Sequence, residues 1–100
     1  MNEYEINKAV AHKFGIEHRV NDLVGVVSAD RYRKCYYDPC NNAEQAWEIM
    51  LANNISVTRN GEWYYAMNDL YYTGGGKWIP EGHISNCKPF VAAMLLFLEI

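Results

Sequence analysis

Four residues of the sequence have the types and spacing of a zinc site. Cys35-x4-Cys40 and His83-x3-Cys87 would supply three thiolates and one imidazole, a ligand set that holds zinc tetrahedrally. Alternatively, Cys35 and Cys87 are small buried core residues and His83 lies in a loop. We favour this alternative because small zinc domains usually have poor cores, whereas 50% of this chain is hydrophobic. We therefore predict no cofactor and keep a zinc-stabilised module as the alternative.

Other reactive side chains do not assemble into a catalytic motif. Cys40 precedes one predicted helix and Cys87 begins another, where the helix dipole lowers a thiol pKa, but a lone cysteine with three unplaced histidines is not a catalytic motif. The TGGGK segment (73–77) lacks the rest of a P-loop. Glu44 and Glu48 lie one helical turn apart without the environment of an acid–base pair. We predict that the protein is not an enzyme.

A short basic stretch, DRYRKCYYD, interleaves Arg31, Arg33 and Lys34 with three tyrosines. Cations and aromatic rings together can bind single-stranded nucleic acid. The net charge is −3 and the sequence pI about 5.5, so the molecule as a whole is repelled by phosphate backbones. We therefore expect these cations to form the charged rim of a protein-binding surface, and nucleic-acid binding remains the alternative.

The densest aromatic stretch is EWYYAMNDLYYTGGGKW (62–78), which holds six aromatic rings. Tryptophan and tyrosine provide large contact area at low entropic cost and are enriched at binding hot spots. The alternative is that the chain's own helices cover these rings. We predict that they face a protein partner, with five anchors: Trp63, Tyr65, Tyr71, Tyr72 and Trp78.

Three helices are predicted from hydrophobic spacing and capping signals. The first covers residues 3–14 and ends at Gly15, a C-terminal cap. The second begins at Asn42, with Gln45 completing a capping box. Its predicted apolar stripe consists of Ala43, Ala46, Trp47, Met50 and Leu51.

The third predicted helix begins at Pro89 and has no polar residue from Phe90 to Leu98. A helix that is apolar on all sides is buried or takes part in a subunit interface. A homodimer through Leu95, Leu96 and Leu98 is therefore one possible arrangement.

A β-hairpin is predicted for residues 55–67, because Asn60-Gly61 between two β-prone runs is typical of a type I′ turn. Its register would place Arg59 opposite Glu62. In that register one face carries the cross-strand pairs Val57–Tyr64 and Ile55–Ala66. The other face carries Ser56, Thr58, Trp63, Tyr65 and Met67.

These elements predict one α+β domain, residues 1–100. It would contain a small antiparallel sheet, formed by the hairpin at 55–67 and one or two short strands, with about three helices packed on one face. One extra strand is predicted between Leu23 and Ser28.

The sequence predicts a cytoplasmic protein that does not enter a membrane. Three cysteines, an odd number, argue against a disulfide framework. The acidic start, residues 1–5, differs from a signal peptide, and the apolar run 89–98 is half of the roughly 20 residues that span a membrane.

Three segments together resemble one protein family. They are YEINKAVAHKFG near the start, DPCNNAEQAWEIMLANNISV in the middle and KPFVAAMLLFLEI at the end. In this order they are similar to the NinX-like proteins of tailed phages and prophages. The resemblance implies a phage accessory protein in the bacterial cytoplasm, with no catalytic residues to transfer. Such a protein would bind a host or phage protein and modulate it, for example a host nuclease or defence complex.

Overall fold

The computed structural model describes residues 1–69, 71–72, 75, 78–79 and 82–100. Three α-helices form in these residues: α1 (Glu3–Phe14), α2 (Ala43–Ala52) and α3 (Pro89–Glu99). A short 3-10 turn covers Asp30–Tyr32. The strands are β1 (His18–Asn21), β2 (Val26–Ala29), β3 (Ile55–Asn60), β4 (Trp63–Asn68), β5 (Tyr71–Tyr72), β6 (Trp78–Ile79) and β7 (Gly82–Asn86).

The strands form antiparallel sheets, which confirms the predicted α+β class. The largest sheet in the described residues has the order β3-β4-β7, while β1 pairs with β2 and β5 with β6. The predicted strand at 23–28 is shorter, because residues 22–25 form a turn in which Leu23 is fully exposed. That turn creates a hairpin whose first strand, β1, the sequence analysis did not predict.

Helix α1 has the predicted bounds and the predicted C-terminal cap. The Asn2 side chain accepts a hydrogen bond from the Glu5 N–H, and Gly15 adopts the left-handed conformation with φ 77°. Ile6 and Val10 are buried. Phe14 packs edge-to-face on Phe97 of α3, with 5.9 Å between ring centroids, so α1 is held against the last helix.

Helix α2 begins at the predicted cap, where Asn42 accepts from the Gln45 N–H. Its predicted apolar stripe is right for Ala46 and Met50, which are buried, and wrong for the other three residues. The buried residues of α2 are Gln45, Ala46, Ile49 and Met50, whereas Trp47 is 56% and Leu51 61% exposed. Gln45 does not complete a capping box. Its amide instead accepts from the Asp38 N–H at 2.6 Å and donates to the Tyr36 carbonyl at 3.1 Å. These bonds hold the polar side chain on the core face and turn Trp47 outward.

Helix α3 lies at the centre of the molecule, where it contacts all three strands of the β3-β4-β7 sheet and both other helices. Val91 to Met94, Leu96 and Phe97 are buried. The predicted dimer surface on α3 is therefore largely used within the chain. Leu96 is 2% exposed, and Leu95 and Leu98 pack partly buried against the core. None of the helices in the described part of the chain is long and apolar enough to cross a membrane.

The hairpin forms, but the predicted turn is wrong by one residue. Asn60 pairs with Trp63, so Gly61 and Glu62 form the two-residue loop. Gly61 has φ 66°, whereas Glu62, the other loop residue, is not among the residues with positive φ, so this is not a type I′ turn. The shift changes each cross-strand partner by two residues. Because side chains alternate with a period of two, every residue keeps the predicted face.

Candidate functional site

The strongest candidate site is the side of the β3-β4-β7 sheet that faces away from α3, here called the open face. Its central row, Trp63, Tyr65 and Met67, belongs to β4. The cross-strand register places hydroxyl and imidazole side chains on either side of this row. The open face thus comprises Ser56, Thr58, Asn60, Trp63, Tyr65, Met67, His83 and Ser85.

Burial distinguishes the two sides of the sheet. Ala66 and Ile55, on the helix side, are 0% and 5% exposed, and a Cβ on Gly82 would lie 3.6 Å from the Leu96 side chain of α3. Trp63, on the open face, is 51% exposed. The described helices all lie on the helix side, since α1 and α2 pack against α3. Trp63 is therefore not core, and Tyr65 and Met67 are only partly buried.

The open face contains a shallow hollow of about 420 Å³. Tyr65, Met67 and Thr58 line it together with His83 of β7. Such a surface offers apolar contact from the ring and the thioether, and hydrogen bonds from the hydroxyls and the imidazole. This combination suits an apolar or aromatic side chain of a protein partner.

The other predicted aromatic anchors belong to β5 and β6. The backbones of Tyr71 and Tyr72 pair with Ile79 and Trp78. The side chains of Tyr71, Tyr72 and Trp78 lie outside the described part of the structure, so their role as anchors stays a prediction.

The predicted charged rim lies on another surface. Arg31 pairs with Glu48 of α2 at 2.6 Å, and Glu48 also accepts from the Tyr32 hydroxyl. Burial and this carboxylate raise the pKa of Tyr32 to about 12. Arg33 and Lys34 instead border a hollow of about 640 Å³ beside β1 and β2, which Arg19, Tyr32 and Tyr36 also line. The three predicted rim cations thus do not surround the aromatic row.

The four predicted zinc ligands are not brought together. Cys40 is 2% exposed, and burial raises the pKa of its thiol to about 12. Cys35 lies next to Gln45, whose Nε2 is 3.5 Å from its Sγ, whereas His83 is on the open face. Among the described residues no group of three or more histidine, cysteine or acidic side chains could hold a metal ion. The interpretation of Cys35 and Cys87 as buried core residues is also wrong, since both are exposed.

A second apolar surface, which the sequence analysis missed, lies between α2 and β3. This α2–β3 groove has a volume of about 740 Å³ and is lined by Trp47, Met50, Leu51, Asn54, Ile55, Ser56, Val57, Asp69 and Phe90. Two large apolar residues of α2, Trp47 and Leu51, are more than half exposed there. One sequence feature is related to this groove. The buried side of α2 contains Gln45 and, four residues later, Ile49, so it differs from the predicted apolar stripe that included Trp47 and Leu51.

A polar cluster connects the three segments on which the family resemblance depends. The amide of buried Asn7 on α1 donates to the Asp38 carboxylate at 2.8 Å and accepts from the Cys40 N–H at 3.2 Å. Lys88, just before α3, donates to the Glu3 carboxylate at 2.7 Å and to the side-chain oxygen Oδ1 of Asn41 at 2.8 Å. The Lys88 ammonium and the Asn41 amide lower the pKa of Glu3. These contacts join α1, the 38–42 loop and α3, so we interpret the cluster as structural.

Comparison of the chain with protein-family models, with curated proteins and with solved structures found no match. The resemblance to the NinX-like family therefore stays a prediction. The functional argument depends on the geometry of the open face and the α2–β3 groove.

Proposed function

We propose that this protein acts without catalysis, by binding another protein through the open face. The observation that supports the proposal is the row of Trp63, Tyr65 and Met67 on the central strand, with Trp63 half exposed and the described helices on the opposite side of the sheet. A cluster of large apolar side chains ringed by polar ones is the usual composition of a hot spot.

A rigid strand makes this row well suited to binding. Trp63, Tyr65 and Met67 alternate along β4, which is hydrogen-bonded on both sides, so their positions are fixed before a partner arrives. The neighbouring hydroxyls of Ser56 and Thr58 can complete hydrogen bonds at the rim. The loss of a central tryptophan in such an interface costs about 2 kcal/mol or more, roughly a thirtyfold loss of affinity.

The biological setting is taken from the resemblance. On that basis the protein is a phage or prophage accessory factor in the bacterial cytoplasm, and its partner is a host or phage protein. Modulation of a host nuclease or defence complex is the use we propose.

The test begins with tagged protein and lysate of an enteric bacterium. Wild type is compared with Trp63→Ala/Tyr65→Ala and with Tyr36→Ala, which removes a 59% exposed ring from a different surface. A captured protein is then purified and its dissociation constant measured against each variant. We expect the double variant to lose at least about thirtyfold in affinity and Tyr36→Ala to bind like wild type. Equal affinities for all three proteins would reject the open face as the binding site.

One observation favours a second candidate function, binding of single-stranded nucleic acid. Arg33 and Lys34 border the same hollow as Tyr36, an exposed ring on which a base could stack. This function predicts oligonucleotide binding that weakens with salt and is lost in Arg33→Ala/Lys34→Ala. Binding that survives this double substitution would reject that surface as the nucleic-acid site.

A further inference from the structure

Strand β3 is an open edge of the β3-β4-β7 sheet. It pairs with β4 on one side, and in the described residues no strand pairs with its other side. In an antiparallel hairpin closed by Asn60 and Trp63, alternate residues of β3 bond to β4. The N–H and C=O groups of Ile55, Val57 and Arg59 therefore point away from β4. Strand β3 has no proline, and Arg59 is its one charged residue.

The α2–β3 groove runs beside this edge. The side chains of Ile55 and Val57 line it from β3, and exposed Trp47 and Leu51 line it from α2. A strand of another chain added here would bond to the free backbone groups, and its alternate side chains would enter the groove. The geometry thus combines the two components of strand addition, an edge and an apolar groove.

The free edge is complementary to itself. If a second copy of β3 lies antiparallel with Val57 opposite Val57, then Ile55 of each copy lies opposite Arg59 of the other. Ile55, Val57 and Arg59 of each copy direct their free N–H and C=O groups toward the other copy. In this register each free N–H lies opposite a free C=O, so all of them can form hydrogen bonds. The arrangement has a twofold axis and closes after two copies.

Charge favours the same register. Asp69 is the charged residue among those that line the α2–β3 groove, and it borders the groove with Ile55. Arg59 of the second copy would lie opposite Ile55, at the Asp69 end of the groove. In the isolated chain Arg59 uses Nε to bond to the Gly61 carbonyl at 2.9 Å, so its two terminal nitrogens can donate to Asp69. The twofold axis provides this ion pair twice.

We propose that two copies of this chain pair antiparallel through β3 and form one continuous six-stranded sheet. The pairing covers Trp47 and Leu51, whose exposure in the single chain is then explained. It joins the open faces of the two copies into one surface with two aromatic rows. The dimer is independent of the proposed partner binding, because β3 pairs through its edge and the open face stays accessible.

The first test is the mass in solution, measured by sedimentation equilibrium from micromolar to millimolar protein. Wild type forms a dimer whose population rises with concentration. Arg59→Glu and Asp69→Lys each replace two symmetric attractions by repulsions and raise the dimer dissociation constant by about tenfold or more. The combination Arg59→Glu/Asp69→Lys restores opposite charges and recovers most of the affinity. Thermal melts test whether each variant folds, which matters most for Asp69→Lys because Asp69 has φ 48°.

The second test fixes the register by cross-linking. In a Cys35→Ser/Cys87→Ser background, Val57→Cys places two thiols opposite each other across the axis, within disulfide reach. Ser56→Cys, one residue away, faces Thr58 of the other copy and does not face itself. Oxidation is expected to give a covalent dimer from Val57→Cys and little from Ser56→Cys.

Three results would overturn the proposal. The first is that wild type sediments as a single chain at every concentration, which would mean that a second copy does not bind in the α2–β3 groove. A dimer could be unaffected by either charge reversal. Val57→Cys could cross-link no better than Ser56→Cys. None of these results bears on the open face, which is tested separately by its partner.

Discussion

Replacement of Asn7 by alanine tests the polar cluster that joins α1 to the 38–42 loop. The change removes the donor to the Asp38 carboxylate and the acceptor for the Cys40 N–H. Asp38 keeps a donor from Asn41 at 3.1 Å, so its carboxylate stays partly satisfied. The buried Cys40 N–H loses the partner that Asn7 provides, which costs about 1–3 kcal/mol, and the lost bond to Asp38 adds about 1–2 kcal/mol.

We therefore expect Asn7→Ala to lower the free energy of unfolding by about 2–5 kcal/mol, a large part of the roughly 5–15 kcal/mol typical of a domain. Urea unfolding followed by tryptophan fluorescence and by circular dichroism measures this difference, and coincident transitions support a two-state treatment. The matched control is His12→Ala, an exposed residue of the same helix, which should change stability by less than about 0.5 kcal/mol.

Asn7→Asp provides a second check on the same site. It keeps an acceptor for the Cys40 N–H but places a carboxylate beside that of Asp38. The two like charges raise the pKa values of the pair in the folded protein, so the variant regains stability as the pH falls through the acid range. A cost for Asn7→Ala no larger than that for His12→Ala would refute the role we give to the cluster.

Three further predictions concern the turn, the acid limb of stability and the thiols. Gly61→Ala should cost about 1 kcal/mol because Gly61 has φ 66°, whereas Asn60→Ala should cost less. A cost for Asn60→Ala in urea unfolding as large as that for Gly61→Ala would favour the predicted type I′ turn, in which both residues have positive φ. Lys88 lowers the pKa of Glu3 below 4.5, so ionised Glu3 stabilises the fold above that pH, and this stabilisation is lost as the pH falls through the lowered pKa. In Glu3→Gln the free energy of unfolding should therefore fall less steeply with decreasing pH than in wild type. The same pH dependence in both proteins would contradict this role of Glu3. Maleimide labelling at neutral pH should modify the two exposed cysteines and spare Cys40, whose thiol pKa is raised to about 12; equal labelling of all three would contradict its burial.

Local signals predicted much of the fold. The bounds of α1, the caps at Asn42 and Gly15, and the hairpin depend on residues close in sequence, which a single chain displays directly. The two faces of β4 were also predictable, because an error of two in the pairing register leaves side-chain alternation unchanged. The sequence pattern thus placed Trp63 on the face opposite Ile55 and Ala66, although the turn was wrong, and the structure shows that Trp63 is exposed there.

Features that depend on tertiary contacts could not be predicted in this way. Gln45 is polar, yet it is buried because the backbone of the 36–38 segment needs its amide. Because Gln45 occupies the core-facing side of α2, Trp47 is exposed and lines the α2–β3 groove. Likewise, the pairing of Arg31 with Glu48 crosses 17 positions and removes Arg31 from the predicted rim.

Footprinting by hydroxyl radicals, with the captured partner absent and then present, tests the central claim most directly. In the free protein, Trp63 and Tyr36 should react readily, and Tyr37, which is 1% exposed, should be protected. With the partner bound, Trp63, Tyr65 and Met67 should become protected while Tyr36 stays reactive. Unchanged reactivity of Trp63 in a complex that protects Tyr36 would contradict the account.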